Sequence, residues 1–272
     1  MPVKRHWGEN VALTIGAVFW VISLTAVAAI IALPDDVIAG SLIPDETIVV
    51  ILIFPLALVF YRRFKRVRRR MRSPKITADQ FPDLHAMLVR ASETAKLTGL
   101  PAAYISLENP VEPCRADNAM RKSVIVGTDF YAGTRENDAP LAMEFMIAHE
   151  VGHAAARHGS FWRNLLSAMI LPIPGIGGLL TRSQEYTADR FANLHCPEGG
   201  PAALALTVTG KDNFPYVDND MFVDDAEKPH NFYLWLNNAL EMQPMIAWRA
   251  HALAVPGDRG RLLWHPTRKT RS

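Results

Sequence analysis

The sequence predicts an α+β protein, mainly α, in which an N-terminal transmembrane helical hairpin precedes a domain with a small edge-exposed β-sheet. Three observations carry that reading. Two uncharged apolar runs, 11–33 and 47–61, stand ahead of a dense basic stretch. Apolar residues then recur at helical spacing over 77–97 and 140–158. Between those two segments lie short β-branched or aromatic stretches at 104–107 and 123–127.

The first run holds 23 residues without a charge. As a helix rising ~1.5 Å per residue it is roughly 35 Å long, enough to cross a bilayer with some tilt. Lys4 and Arg5 ahead of it also suit a signal peptide, but the run exceeds the usual ~7–15 apolar residues and a second run follows. That second run, within a span of about 45–61, is ~22 Å of helix and needs snorkelling by Arg62 and Arg63 to reach across. Pro55 is tolerated in such a helix. The basic collar 62–72 carries eight of the 29 Lys and Arg residues, and without it the net charge falls from +2 to −6. The chain is therefore no general nucleic-acid binder. The connector 34–46 holds Asp35, Asp36, Asp45 and Glu46 and no basic residue. The excess of cations on the inner flanks predicts a multi-pass protein of the cell membrane whose domain, residues 73–272, faces the cytoplasm. The anchor is residues 1–72, and its partner is the lipid bilayer, with anionic head groups within reach of the collar. Two cysteines exclude a disulfide-stapled scaffold and suit a reducing compartment. An apolar fraction of 49% excludes a disordered chain.

Ser73 and Pro74 end the anchor. Phe81, Leu84, Leu88 and Ala91 give 77–97 its apolar stripe, and Gly99 and Pro101 close it. The stretch 108–122 is polar and reads as a loop. Residues 140–158 read as one helix opened by Pro140.

Within that helix lies His149-Glu150-Val151-Gly152-His153. Histidines at i and i+4 project from one face a turn apart, so both imidazoles can hold one metal ion, and Glu150 lies beside them as a general base. With nine His and 12 Glu in the chain, chance alone gives this pattern in roughly one such sequence in 80. A catalytic zinc site needs a third protein ligand. Glu185 is the best candidate. Asp189 follows one turn later and is placed to accept a hydrogen bond from a ligand histidine. His195 is a less favoured ligand. His158 lies off the ligand face and reads as structural.

These residues resemble the membrane-associated zinc metallopeptidase family that includes HtpX and the CAAX prenyl endopeptidases. Four features match in order: A-H-E-V-G-H at 148–153 with A-x-R-H-G at 155–159; E-Y-x-A-D at 185–189; Asn118-Ala119 before the strand at 123–127; and His265-Pro266 with Arg271 six residues on. The resemblance covers about residues 1–195 and the last ten. It implies a zincin-type (gluzincin) fold with one Zn2+ per chain, held by His149, His153 and Glu185, with Glu150 as catalytic base. It implies that Asn118 and Ala119 align a polypeptide substrate along a sheet edge, and that His265 and Arg271 act near the reacting carbonyl. The chain departs from the family in one place. HtpX-like proteins commonly carry two further membrane segments between the second and third ligands, whereas here only 164–181 is apolar, broken by Pro172, Pro174 and three glycines. It reads as a short helical hairpin over 161–181. Residues 232–248 read as ordinary helical core.

The expected activity is endoproteolysis of membrane-associated or misfolded polypeptides. The alternatives are processing of a lipidated or short peptide, hydrolysis of a small molecule by a zinc enzyme, or an inactive protease-like adaptor.

Overall fold

The structure, a computed structural model, describes residues 3–32, 46–107, 114–118, 122–227, 232–255, 257–264 and 266, with backbone alone at 46–48, 51–52, 62, 65–66, 69–70, 114–118 and 122. Ala119, His265 and Arg271 lie outside the described residues, as does most of the connector 34–46.

Helix α1 spans Trp7–Ile31, and the His6 side chain caps it by accepting from the Gly8 N–H. Val18, Val21, Ile22, Leu24 and Ile31 point outward. Among the described residues α1 alone is long and apolar enough, over its length, to cross a membrane. Helix α2, Glu46–Arg70, runs unbroken through Pro55 and takes in both the second apolar run and most of the collar. Arginine favours helix, and cations suit a helix C-terminus, so the collar extends the helix as far as the Ser73-Pro74 break.

Among the described residues the sheet has four strands: β1 (Lys75–Ile76), β2 (Ala102–Ser106), β3 (Cys114–Asn118) and β4 (Lys122–Gly127), in the order β1-β2-β4-β3. β2 and β4 pair in parallel, and the outer pairs are antiparallel. β3 falls inside the stretch expected to be loop. Its sequence, CRADN, has no β-branched residue, and its pairing comes from backbone bonds to β4 at a sheet edge, which the side-chain pattern does not announce.

Helix α3 (Pro82–Thr94) is shorter than expected at both ends. Phe81 is left-handed (φ 62°) ahead of Pro82, and Lys96 is left-handed (φ 51°) beyond the last turn, so neither flank continues the helix. Leu84, Leu88 and Ala91 face the core as the spacing predicts. Helix α4 (Thr128–Glu136) leads to α5 (Pro140–Ala155), which carries the histidine motif. From Phe145 to Gly152 every residue of α5 is buried, so this is a core helix enclosed on all sides. Ala103, Ile105, Val124 and Val126 of the sheet, Leu84 and Leu88 of α3, and Phe145 and Ile147 of α5 share one core.

Residues 161–195 form α6 (Phe161–Ala168) and α7 (Ile176–His195), so the broken apolar segment spans one short helix, a turn and the first turns of a long one. Ala12 of α1 packs with Ile170 and Leu180 in a second cluster, and Trp20 Nε1 donates to the Leu165 carbonyl at 2.8 Å. Helices α8 (Gly200–Asn213), α9 (Asn219–Asp224), α10 (Phe232–Leu240) and α11 (Ile246–Ala254) follow among the described residues. The segment 232–248 is not one core helix. It is split between α10 and α11, and Phe232 and Tyr233 are exposed.

Candidate metal centre

Two helices build the site. On α5, His149 and His153 sit one turn apart with their rings edge to face. On α7, Glu185 and Asp189 sit one turn apart. What brings the pairs together is the closeness of the helices. A Cβ at Gly152 would lie 3.2 Å from the Ala188 Cα and 3.1 Å from the Phe191 ring, so only a glycine fits there without displacement.

The donor atoms converge. His149 Nε2 and His153 Nε2 are 3.0 Å apart. His149 Nε2 to Glu185 Oε2 and His153 Nε2 to Glu185 Oε1 are each 3.4 Å. Donors at the ~2.0–2.1 Å bonds of a tetrahedral zinc site stand ~3.3 Å from one another, so the spacing fits a single ion. His149, His153 and Glu185 form a group that can hold a metal ion. Glu150, buried, has its Oε1 4.0 Å from His149 Nε2, beside the cluster rather than within it.

The His149 ring is oriented from behind. Its Nδ1 lies 2.8 Å from Asp189 Oδ1. A carboxylate can only accept, so Nδ1–H donates, and a neutral His149 turns its Nε2 lone pair to the cluster. Asp189 is held in turn by Arg249 of α11, whose Nε donates to Oδ2 at 2.8 Å and Nη2 to Oδ1 at 2.7 Å. Arg249 Nη1 also approaches Glu185 Oε2 at 3.2 Å. Sequence reasoning did not single out Arg249. The signal was a lone cation inside the apolar helix IAWRAHALA, which must find a carboxylate if buried.

His158 belongs to the centre as well. α5 ends at Ala155, Arg157 adopts φ 57°, and the chain turns back so that His158 Nδ1 comes 2.7 Å from His153 Nδ1. The histidine expected to be structural thus touches a candidate ligand. Burial pushes its pKa down to about 4, so it is neutral at physiological pH. His195 sits at the end of α7, where it meets Glu144 at 3.2 Å and Thr94 at 3.0 Å, away from the cluster. Asn118 closes the edge strand β3, which runs beside α5.

Charge at the site favours a cation. Burial opposes ionisation of Glu185 and Asp189, but Arg249 and the histidines outweigh it and hold both carboxyls below their usual range. Burial likewise opposes a charged His149, but Asp189 and Glu185 prevail and raise its pKa to about 10. Two ionised carboxylates balance the Arg249 guanidinium and a protonated His149, so the centre becomes net negative, and suited to a metal cation, when His149 gives up its proton.

No family model, curated protein or solved structure matches the chain.

Proposed function

We propose that the protein is a membrane-bound, zinc-dependent metalloendopeptidase that hydrolyses peptide bonds of membrane-associated or misfolded polypeptides at the cytoplasmic face. The observation that carries this reading is the convergence of His149 Nε2 and His153 Nε2, 3.0 Å apart and each 3.4 Å from one of the two Glu185 carboxylate oxygens, with Glu150 alongside. Two imidazoles and one carboxylate suit zinc among the divalent ions, and three protein donors leave a position open for water or substrate. Bound there, zinc would acidify water and polarise a peptide carbonyl.

The chain's own residues supply the rest. Glu150 takes a proton from the attacking water and returns it to the leaving amine. The β3 edge accepts an extended polypeptide as an added strand, which favours a peptide over a small molecule. Helix α1 crosses the membrane. Helix α2, with Val49, Val50, Ile53 and Phe54 facing outward, makes a second crossing that ends in the collar.

The test is metal content and casein cleavage by the detergent-purified protein, wild type and Glu150→Gln. About one zinc per chain with chelator-sensitive cleavage only in the wild type supports the proposal. Zinc without cleavage of any polypeptide points to the adaptor reading, and no zinc in either protein removes the metal chemistry altogether.

A further inference from the structure

The geometry points to Glu9, at the head of the apolar helix α1, as a positioning residue of the metal centre: its carboxylate terminates a hydrogen-bond chain that runs through His158 to the ring of His153. The inference rests on the metal-binding reading of His153 and adds a role for the N-terminal helix.

Glu9 is fully buried, and a buried carboxylate needs charged or donating partners. It has three. His158 Nε2 lies 3.2 Å from its Oε1, Thr187 Oγ1 donates to the same oxygen, and Arg163 Nη2 donates to Oε2. Beyond His158 stands His153, Nδ1 to Nδ1.

The protons in this chain have one consistent arrangement. A His153 that offers Nε2 to a metal carries its proton on Nδ1 and donates it to His158 Nδ1. His158, whose Nδ1 accepts, carries its own proton on Nε2 and donates it to Glu9. Reversing either ring would set two lone pairs, or a lone pair and a carboxylate, against each other. Glu9 therefore fixes the tautomer of His153 through His158, as Asp189 fixes that of His149 directly.

The head of α1 is fastened around this chain. Arg5 Nη2 donates to the Ala156 carbonyl at 3.0 Å, just past the end of α5. The His6 N–H donates at 2.8 Å to Thr187 Oγ1, which lies between Glu185 and Asp189 on α7. A Cβ at Gly8 would overlap Ser183 Oγ. Docking of the helix head and order in the metal centre thus use the same side chains. By linkage, a bound metal tightens that docking by the factor by which docking raises metal affinity.

The test uses the full-length protein in detergent. Zn2+ affinity is measured by chelator competition, and the Co2+ absorption spectrum is recorded, for wild type, Glu9→Ala and Glu9→Gln. Glu9→Ala is expected to bind zinc about 10- to 100-fold more weakly with an altered Co2+ spectrum, and Glu9→Gln, which keeps an acceptor for His158, to recover part of that loss. A purely structural Glu9 would lower thermal stability in both variants and leave affinity and spectrum as in the wild type, which overturns the inference. Should Glu9→Ala fail to fold, hydrogen exchange of the wild type decides. Zinc is expected to slow the amides of residues 5–9 relative to chelated protein, and equal rates overturn it. A wild type that binds no metal overturns the metal reading and this inference together. A metal-binding wild type with unchanged variants overturns this inference alone.

Discussion

Arg249 grips Asp189 through two parallel hydrogen bonds of 2.8 and 2.7 Å, although 60 residues separate them in the chain. Both side chains are buried. The pair fixes the carboxylate that orients His149 and places a cation against Glu185. Removing the guanidinium leaves buried Asp189 and half-buried Glu185 without it, a loss of about 3–5 kcal/mol in stability. Arg249→Met is expected to bind zinc about 10- to 100-fold more weakly as well. Arg249→Lys does not restore affinity, because a single ammonium cannot make the paired contact. Chelator competition and thermal melting check both statements, and wild-type affinity in Arg249→Met would break the link between Arg249 and the site.

Glu150 and Glu185 are expected to separate cleanly in mutants. Glu185→Ala removes a donor and loses the metal. Glu150→Gln leaves every donor in place, so it keeps the metal and the fold while losing nearly all turnover, on the order of 10²–10⁴-fold for a lost general base. Metal analysis beside a cleavage assay reads both. Full proteolysis by Glu150→Gln would exclude it as the base, and unchanged metal in Glu185→Ala would move the third ligand elsewhere.

How much of this was legible in the sequence depends on the range of each interaction. The pairs His149–His153 and Glu185–Asp189 were legible because helical spacing within α5 and α7 is local and periodic, whereas their meeting depends on the close packing of the two helices. The core positions Leu84, Leu88 and Ala91 follow for the same reason. Arg249, His158 and Glu9 were not legible. Each reaches the centre by a tertiary contact, through α11, through a left-handed residue at Arg157, and through the docked head of α1. Strand β3 was missed because its pairing is a backbone property that CRADN does not encode by side-chain type. The expected extent of α3 failed at Phe81 and Lys96, where positive φ angles override a pattern that continued past them.

The metal-free protein is expected to lose stability as the pH rises. His149 has a folded pKa raised to about 10, against an unfolded value of ~6.5. A raised pKa stabilises the fold fully below the unfolded value, and the stabilisation disappears as the pH climbs through the folded one. The melting temperature of the chelated protein should therefore fall between about pH 6.5 and 10. With zinc bound, His149 must be neutral, so the metal replaces the proton and that slope flattens. Zinc affinity should rise over the same window, because binding expels the proton. Thermal melts with and without chelator across this range test the sign, and parallel curves would show that His149 does not exchange a proton for the metal.

Gly152 lies inside the histidine motif without offering a donor atom, and its substitution weighs two opposing effects. Alanine in a helix interior gains about 1 kcal/mol over glycine. Against this, the new Cβ would stand 3.2 Å from the Ala188 Cα, a backbone atom that cannot swing aside. Relief requires α5 and α7 to separate, and overpacking of this kind costs about 1–3 kcal/mol. Net stability in Gly152→Ala is thus expected to change by no more than about 2 kcal/mol in the unfavourable direction. Metal affinity carries the sharper consequence. His149 and His153 stand on one helix and Glu185 on the other, so every increment of separation stretches the two 3.4 Å donor spacings and leaves the 3.0 Å histidine spacing unchanged. Gly152→Ala should weaken zinc binding more than its effect on stability implies, and Gly152→Val, bulkier and β-branched, more still. Chelator competition on the two variants decides the matter: wild-type zinc affinity in both would mean that the helix spacing does not set the geometry of the centre.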